Sequence, residues 1–223
     1  MSVHDVARVL PDPTTLRDRC RALAVLDAAL GHDPAFTYHR FDARWGPGEE
    51  LASMDNGSGD EWSIVFAPAG IFVRGFDHES PLSPAGNDSG ELWPGLVDTV
   101  PEAFAACVRE PAFSFDGTLE ATVCLWRETG DDRWRHGDVV LPADGDDGAD
   151  HLFGLLTDGT PEAYQDWARD YYERPVDLDA VREVFALRPV TPDLLRRLGA
   201  RQALDELAGE LARIGHPVRR DPA

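Results

Sequence analysis

The sequence predicts an α+β fold in which an antiparallel β-sheet is packed by helices and followed by a helical C-terminal region. Residues 61–67 and 71–77 alternate as two strands joined by a tight turn, the central hairpin, and other extended segments flank them. Beyond residue 149 the apolar side chains recur at helical spacing instead. Strands that come before helices favour an α+β fold with an antiparallel sheet.

A helix is predicted over residues 13–30, because apolar side chains recur there at helical spacing and Asp12 can cap its start. Strands are predicted over residues 36–41 and 50–54, with a turn at residues 44–48 between them. The second of these strands leads directly into the central hairpin.

The central hairpin is predicted to occupy the middle of the sheet, since both faces of its strands carry apolar side chains. Pro68 presets φ at the second position of the turn, and Gly70 tolerates positive φ at the fourth. Gly75 leaves the second strand without a side chain, which often marks a bulge or the close approach of another backbone.

A long loop is predicted over residues 80–99, and Trp93 within it indicates that the loop is tied down. Whether the loop is a mobile lid stays open. Pro101 then opens a short helix, and residues 119–127 and 133–141 predict a second hairpin.

The tip of the second hairpin admits two interpretations. Trp126 and Trp134, with the arginines of residues 133–136, can form an exposed aromatic and cationic tip that binds a partner. The alternative, which the sequence favours, is that the tryptophans cover the sheet and the arginines extend over them.

The chain is divided into a sheet core over residues 1–142 and a helical region over residues 149–216 that packs on it, within one domain overall. The acidic residues between the two parts are predicted to be a solvated boundary. Helices in the second part are predicted at residues 151–157, after Thr160, at 177–187, after Thr191 and at 200–214.

The charge of the chain limits its partners. Its 223 residues include 41 acidic and 21 basic side chains, the latter all arginine, which gives a net charge of −20. We therefore predict no binding to nucleic acid or to a membrane, because polyphosphate backbones and anionic lipids attract cationic groups. A cationic protein partner is compatible with this charge through electrostatic steering. Simple solubility is the alternative explanation, because net charge speaks to association and not to fold.

Cys20, Cys107 and Cys124 match no metal-ligand spacing and fall in apolar segments, so buried free thiols are predicted. Free thiols indicate a reducing compartment. No signal peptide is predicted, and the longest apolar stretch, residues 64–73, is shorter than the ~20 residues of a membrane span. We therefore expect a cytoplasmic protein.

Two polar clusters, residues 55–61 and 77–80, lie on either side of the central hairpin. If its strands pair around the turn, both clusters lie at the same end of the sheet. The candidate binding residues are these carboxylates and imidazole together with one indole of the long loop: Asp55, Asp60, Glu61, Asp77, His78, Glu79 and Trp93.

Asp77 and Glu79 point away from His78 in an extended strand, so the three converge on a metal ion only if the chain bends. After such a bend, two carboxylates and an imidazole can bind a divalent cation. His78 can also act as a base that Asp55 or Asp60 orients.

The same residues have a structural interpretation, which the sequence favours. Asp77 then caps a turn, His78 forms a hydrogen bond across the sheet, and Glu79 pairs with an arginine such as Arg74. The sequence assigns neither a metal ion nor a cofactor.

Segments in the middle of the chain resemble a family of uncharacterised bacterial proteins. They include a Gly-Phe-Asp-His-Glu-Ser motif and lie at residues 53–61, 75–80, 93–95, 100–102 and 110–113. No activity is established for such proteins, so the resemblance implies no catalytic role. The small acidic α+β design is also similar to that of bacterial immunity proteins, which neutralise toxins; this similarity is one of architecture alone.

The sequence favours a non-catalytic acidic protein that binds a protein partner, as immunity proteins do. The alternative is a metal-dependent or acid–base hydrolase that uses Asp55, Asp60, Asp77, His78 and Glu79. Whether the protein is an enzyme stays open at this point.

Overall fold

The computed structural model describes residues 1–31, 37–87, 89–142 and 145–219. Within these ranges, six strands form one antiparallel sheet in the order β1-β2-β3-β4-β7-β8, and β5 and β6 form a separate ribbon. The strands are β1 His39–Gly46, β2 Glu49–Asp55, β3 Glu61–Ala67, β4 Gly70–Phe76, β5 Ser114–Phe115, β6 Thr118–Leu119, β7 Val123–Glu128 and β8 Arg135–His136. The helices are α1 Val3–Val9, α2 Pro13–Leu30, α3 Ala105–Val108, α4 Ala149–Asp158, α5 Pro161–Tyr172, α6 Leu178–Phe185, α7 Pro192–Leu198 and α8 Leu204–Ile214. The predicted α+β fold is confirmed.

The central hairpin, β3 and β4, lies in the middle of the sheet as predicted. Its register runs without interruption from the pair Glu61 and Phe76 to the pair Ala67 and Gly70. Both faces are buried, because one side packs on the helices and the other is covered by the loops between β4 and β7. The alternation of side chains in the sequence therefore predicts the hairpin correctly. The hairpin lies between two hydrophobic clusters, one on each face of the sheet.

The loop at residues 80–99 helps to cover the second face. Leu82 and Leu96 are fully buried there, beside Phe72 of β4 and Phe104 of the following short helical segment. The loop is thus tied down as predicted, although by these leucines more than by Trp93, which is half-buried. Residue 88 lies outside the described part of the loop.

Gly75 marks a close approach, but neither a bulge nor another backbone causes it. The β3–β4 register continues through the pair Trp62 and Gly75. A Cβ atom at Gly75 would lie 2.9 Å from Cζ of Phe153 and 3.1 Å from Cδ1 of Leu152. Helix α4 therefore rests directly on the backbone of β4, and this contact positions the start of α4 at the end of the sheet.

The second hairpin is shorter than predicted. β7 begins at Val123, and β8 consists of two residues, Arg135 and His136. Residues 137–142 leave the sheet to pack against the 80–99 loop, where the indole Nε1 of Trp93 donates to the carbonyl of Val140 at 3.3 Å. The predicted turn at residues 44–48 is also too long, because β1 continues to Gly46. Residue 36, where the first strand was predicted to begin, lies outside the described residues.

The tryptophans at the second hairpin cover the sheet, as the sequence favours. Trp126 and Trp134 are 4% and 5% exposed. The indole Nε1 of Trp134 donates to the carbonyl of Pro11 at 2.8 Å, so this side chain is also tied to the segment before α2. The arginines around them are left at the surface.

Two features of the structure next to the start of α4 were not predicted. Helix α1 buries Val3 and Val6, which are too few side chains to give a helical period in the sequence. The acidic loop is not a solvated boundary, because Asp147 is 1% exposed and accepts a hydrogen bond from the backbone of Val3 at 2.7 Å. Residues 143 and 144 of that loop lie outside the described residues.

The helices after residue 149 share a hydrophobic cluster with the sheet, which includes Ile64, Leu152 and Val181. The division into residues 1–142 and 149–216 stays a prediction. The cysteines are buried free thiols, as predicted. Among the described helices, none combines the length and the hydrophobicity that crossing a membrane requires.

Candidate functional site

The two polar clusters meet at one end of the sheet. β2 ends at Asp55, which pairs with Glu61 at the start of β3, and Glu61 in turn pairs with Phe76 at the end of β4. The loop between β2 and β3 therefore lies beside the chain that leaves β4 at Asp77. This end of the sheet, with the first turn of α4, forms a surface that we call the acidic rim. Its residues are Asp55, Asp60, Asp77, His78, Glu79, Asp150 and His151.

The loop between β2 and β3 is built around Asn56. Its side-chain oxygen accepts hydrogen bonds from the backbones of Ser58 at 2.7 Å and Asp60 at 3.1 Å. Gly59 takes a positive φ of 107°, which favours glycine, and a Cβ atom there would lie 3.0 Å from Cγ of His78. The turn thus brings the carboxylate of Asp60 against His78.

Asp60 is the centre of the acidic rim. Its Oδ1 accepts from Nδ1 of His78 at 2.7 Å and from the backbone of His78 at 3.2 Å. Its Oδ2 accepts from Nδ2 of Asn56 at 2.8 Å and lies 3.6 Å from Nε2 of His151. Partial burial raises the pKa of Asp60, but the hydrogen bonds from His78 and Asn56 outweigh it and hold the pKa below its ordinary value. The hydrogen bond to Asp60 raises the pKa of His78.

Asp77 lies deeper, with 8% exposure. Its Oδ1 accepts from the backbone of Glu79 at 2.9 Å, and its own backbone donates to Oγ1 of Thr122 at 3.2 Å. One ligand atom each from Asp60, Asp77 and His151 lie within 4.8 Å of one another. Ligands at 2.0–2.2 Å from a metal lie at most about 4.4 Å apart, so a small side-chain movement would let these three share one ion.

The other predicted site residues do not join this group. Glu61 accepts from the guanidinium of Arg74 at 2.7 Å, so the predicted pairing of Arg74 with Glu79 is wrong. Asp55 accepts from the backbone of Gly57 at 2.7 Å and is exposed, as is Glu79. Of the two carboxylates proposed to orient His78, the contact is therefore with Asp60 and not with Asp55.

Trp93 lies in a different surface groove, which Pro94, Leu141 and Pro142 also line. Its described hydrogen bond goes to Val140 and not to a residue of the acidic rim. Its role as a binding residue stays a prediction.

His151, like its neighbour Asp150, is a member of the rim that the sequence analysis missed. It lies 91 residues after Asp60 in the sequence and reaches the rim only because α4 docks on Gly75. A weak signal exists: in α4 the buried side chains are Ala149, Leu152, Phe153 and Leu156, which leaves His151 on the exposed face of the helix. That pattern shows exposure, but it does not name the strand end that the histidine faces.

The rim carboxylates have little cationic compensation. Among the described residues, none of them forms an ion pair with an arginine. Asp150 pairs with the N-terminal ammonium at 3.2 Å. On the C-terminal helices, by contrast, acidic side chains bind arginines, as Glu162 does with Arg182 at 2.6 Å. The rim is therefore a surface of net negative charge.

No family model, no curated protein and no solved structure matches the chain. The resemblance to uncharacterised bacterial proteins, their bacterial source and the Gly-Phe-Asp-His-Glu-Ser motif therefore stay predictions. No residue role passes to this chain from a relative.

Proposed function

We propose that the protein binds a cationic protein partner at the acidic rim, in the cytoplasm and without chemistry of its own. The observation that carries this proposal is the group of rim carboxylates that no arginine of the described residues neutralises. Such a surface raises the association rate of a positively charged partner. It is the kind of surface that an immunity-like protein needs.

An aromatic cluster next to the rim supports the same proposal. The carbonyl of Tyr38 accepts from the backbone of Asp55 at 3.0 Å, and the ring of Tyr38 contacts those of Trp167 and Tyr171. Tyr171 is 44% exposed. Aromatic side chains are enriched in protein interfaces, where arginine of the partner can also stack on them.

A pull-down from native lysate at low and moderate salt tests the proposal. The bait is the wild type or a rim variant with three exposed carboxylates neutralised: Asp55→Asn, Glu79→Gln and Asp150→Asn. A matched control neutralises three exposed carboxylates elsewhere: Glu102→Gln, Asp116→Asn and Glu128→Gln. We expect a partner that the wild type and the control retain and the rim variant loses, with retention falling as salt rises. Failure to recover a partner, or equal retention by all three baits, contradicts the proposal.

A second candidate function rests on the convergence of Asp60, Asp77 and His151. These residues offer oxygen and nitrogen ligands to one divalent cation, as a metal-dependent hydrolase requires. Asp60 occupies Nδ1 of His78, so Nε2 of that ring is the nitrogen able to take a proton from an attacking water. Such a base is oriented by a carboxylate, as in known acid–base pairs.

Calorimetric titration with Mn²⁺, Zn²⁺ and Ca²⁺ tests this candidate. Binding should weaken at least about tenfold in Asp77→Asn, which replaces a charged ligand with a neutral one, and in His151→Ala, which removes a ligand, whereas His78→Ala should change it less. His136→Ala, which removes a histidine far from the rim, serves as the control. If the wild type shows no heat of metal binding, or if both ligand variants bind the metal as the wild type does, the metal-dependent hydrolase is contradicted.

A further inference from the structure

A cleft of opposite charge lies along the β8 edge of the sheet. β7 starts beside the rim, where Val123 pairs with Gly75, and runs away from it to Glu128, which pairs with Gly70. Beside the second half of β7, α1, β8 and the segment before β8 line a cleft of about 700 Å³. We call it the cationic groove, and its charged and aromatic lining residues are His4, Arg8, Arg127, Asp132, Arg133, Trp134, Arg135 and His136.

The arginines of the groove outnumber its acidic side chains. Four of the 21 arginines line it against one lining carboxylate, that of Asp132, in a chain whose acidic residues are otherwise in a twofold excess. Carboxylates just outside the lining offset part of this charge. Asp5 pairs with Arg8 at 2.8 Å, and Asp131 lies 3.7 Å from Nε of Arg135.

The other two arginines of the groove, Arg127 and Arg133, have guanidinium N–H groups that form no ion pair with the described residues. Arg127 donates through Nε to the carbonyl of Asp131 at 3.1 Å, which leaves its terminal nitrogens without an ion pair among the described residues. Arg133 is exposed and has no hydrogen bond or ion pair to any described residue. An arginine gains most from a bidentate acceptor that meets its planar guanidinium, and the described residues supply none to these two.

The walls of the groove are held in place by contacts that do not use those donors. The carbonyl of Gly137 accepts from Nδ1 of His136 at 2.7 Å, which leaves Nε2 of the neutral ring as an acceptor. Nδ1 of His4 donates to it at 3.3 Å, and the two rings pack edge to face. This pair joins α1 to β8, while the bond from Trp134 to Pro11 fixes the indole between them. The groove is thus preformed.

We propose that the cationic groove binds a small molecule that carries a phosphate group. Guanidinium groups match the oxygen atoms of a phosphate in geometry and charge. The volume falls in the range of about 300–1,000 Å³ that is typical of small-molecule sites. A long nucleic acid is disfavoured, because the chain around the groove carries a net charge of −20 and repels a polyanion that extends beyond it.

Calorimetric titration with pyrophosphate tests the assignment. The test variant is Arg133→Gln with Arg135→Gln, both at exposed positions, so that folding is preserved. The control is Arg44→Gln with Arg109→Gln, which removes the same charge from exposed positions elsewhere. We expect the wild type and the control to bind pyrophosphate with the same Kd, and the test variant to bind at least about tenfold more weakly, because charged hydrogen bonds are lost.

Two further probes decide the chemistry of the ligand. Citrate in place of pyrophosphate tests for a carboxylate site, and a single-stranded oligonucleotide tests for a nucleic acid. Pyrophosphate that does not bind, that binds the test variant as well as the wild type, or that binds more weakly than either probe overturns the proposal. The rim variant should bind pyrophosphate as the wild type does, so this result is independent of the function proposed for the rim.

Discussion

Two aspartate–histidine pairs in this protein have the same local geometry and opposite surroundings. In one, Oδ2 of Asp27 accepts from the backbone of His39 at 2.9 Å and from its ring Nδ1 at 2.7 Å. In the other, Oδ1 of Asp60 accepts from the same two groups of His78, at 3.2 and 2.7 Å. The side chains of Asp27 and His39 are 0% and 2% exposed, whereas those of Asp60 and His78 are 15% and 42% exposed. The two pairs therefore make the same contact, but only the pair of Asp60 and His78 is accessible to solvent.

The buried pair belongs to the scaffold. Oδ1 of Asp27 accepts from the hydroxyl of Tyr164 at 2.5 Å. Burial, followed by the negative charge of Asp27, raises the pKa of Tyr164 and of the neighbouring Tyr172, so both phenols stay protonated. A buried carboxylate needs such donors, and here they tie α2, β1 and α5 together. The exposed pair, in contrast, leaves a ring nitrogen of His78 for solvent or a ligand.

The largest expected effect is the loss of the buried carboxylate. Asp27→Ala leaves His39 and the hydroxyl of Tyr164 without their acceptor in the core, so the free energy of unfolding should fall by about 3–5 kcal/mol. Urea denaturation followed by circular dichroism measures it. Asp60→Ala is the matched change at the exposed pair and should cost about 1 kcal/mol. Equal losses in the two variants would contradict the division into a structural and an available pair.

Part of this difference between the two pairs can be inferred from the sequence. Asp27 interrupts the apolar stripe of α2, where Leu16, Cys20, Leu23 and Leu30 recur at alternating steps of four and three residues. A carboxylate at such a position must be satisfied by donors inside the core. The stripe does not say which donors, because His39 belongs to another element and Tyr164 comes from a helix more than 130 residues later.

The exposed pair was more accessible to sequence reasoning, because it depends on local pairing. Once residues 61–77 form a hairpin, the residues just before Glu61 and just after Phe76 must lie at the same end of the sheet, and the alternation of side chains is enough to predict that hairpin. His151 escaped prediction because its position depends on how α4 packs against the sheet. Helix α1 escaped for a related reason, since seven residues with two buried valines are held by a tertiary contact to Asp147.

The second prediction concerns the contact that brings His151 to the exposed pair. Gly75→Ala places a methyl group 2.9 Å from the ring of Phe153, so α4 must shift, and the free energy of unfolding should fall by about 1–3 kcal/mol. Gly154→Ala is the control within α4, because no atom lies within 4 Å of its added methyl group. It should stabilise the protein by about 0.5–1 kcal/mol through helix propensity. Thermal or urea unfolding that ranks the two variants in the reverse order would show that α4 does not rest on Gly75.

The smallest expected effect is on the titration of the exposed pair. The hydrogen bond to Asp60 raises the pKa of His78 above its ordinary value of 6.5. NMR titration of the imidazole should therefore give a pKa above 6.5 in the wild type and a lower one in Asp60→Asn, which removes the negative charge but keeps the shape. Asp55→Asn removes a neighbouring charge that does not contact His78 and should leave most of the shift. A wild-type pKa at or below 6.5 would mean that the hydrogen bond is not formed in solution.

The sign of the shift also fixes how the pair contributes to stability at different pH. Because the pKa of His78 is raised on folding, its contribution is fully present below 6.5 and is lost as the pH rises through the folded pKa. The pKa of Asp60 is lowered, so its contribution is present above 3.8 and is lost as the pH falls through the folded pKa. The difference in unfolding free energy between the wild type and Asp60→Asn should therefore be largest between about pH 4 and 6.5 and shrink on both sides. A difference that stays constant from about pH 4 to alkaline pH would mean that Asp60 stabilises the fold through its contacts with the His78 backbone and the Asn56 amide, and not through the charged imidazole.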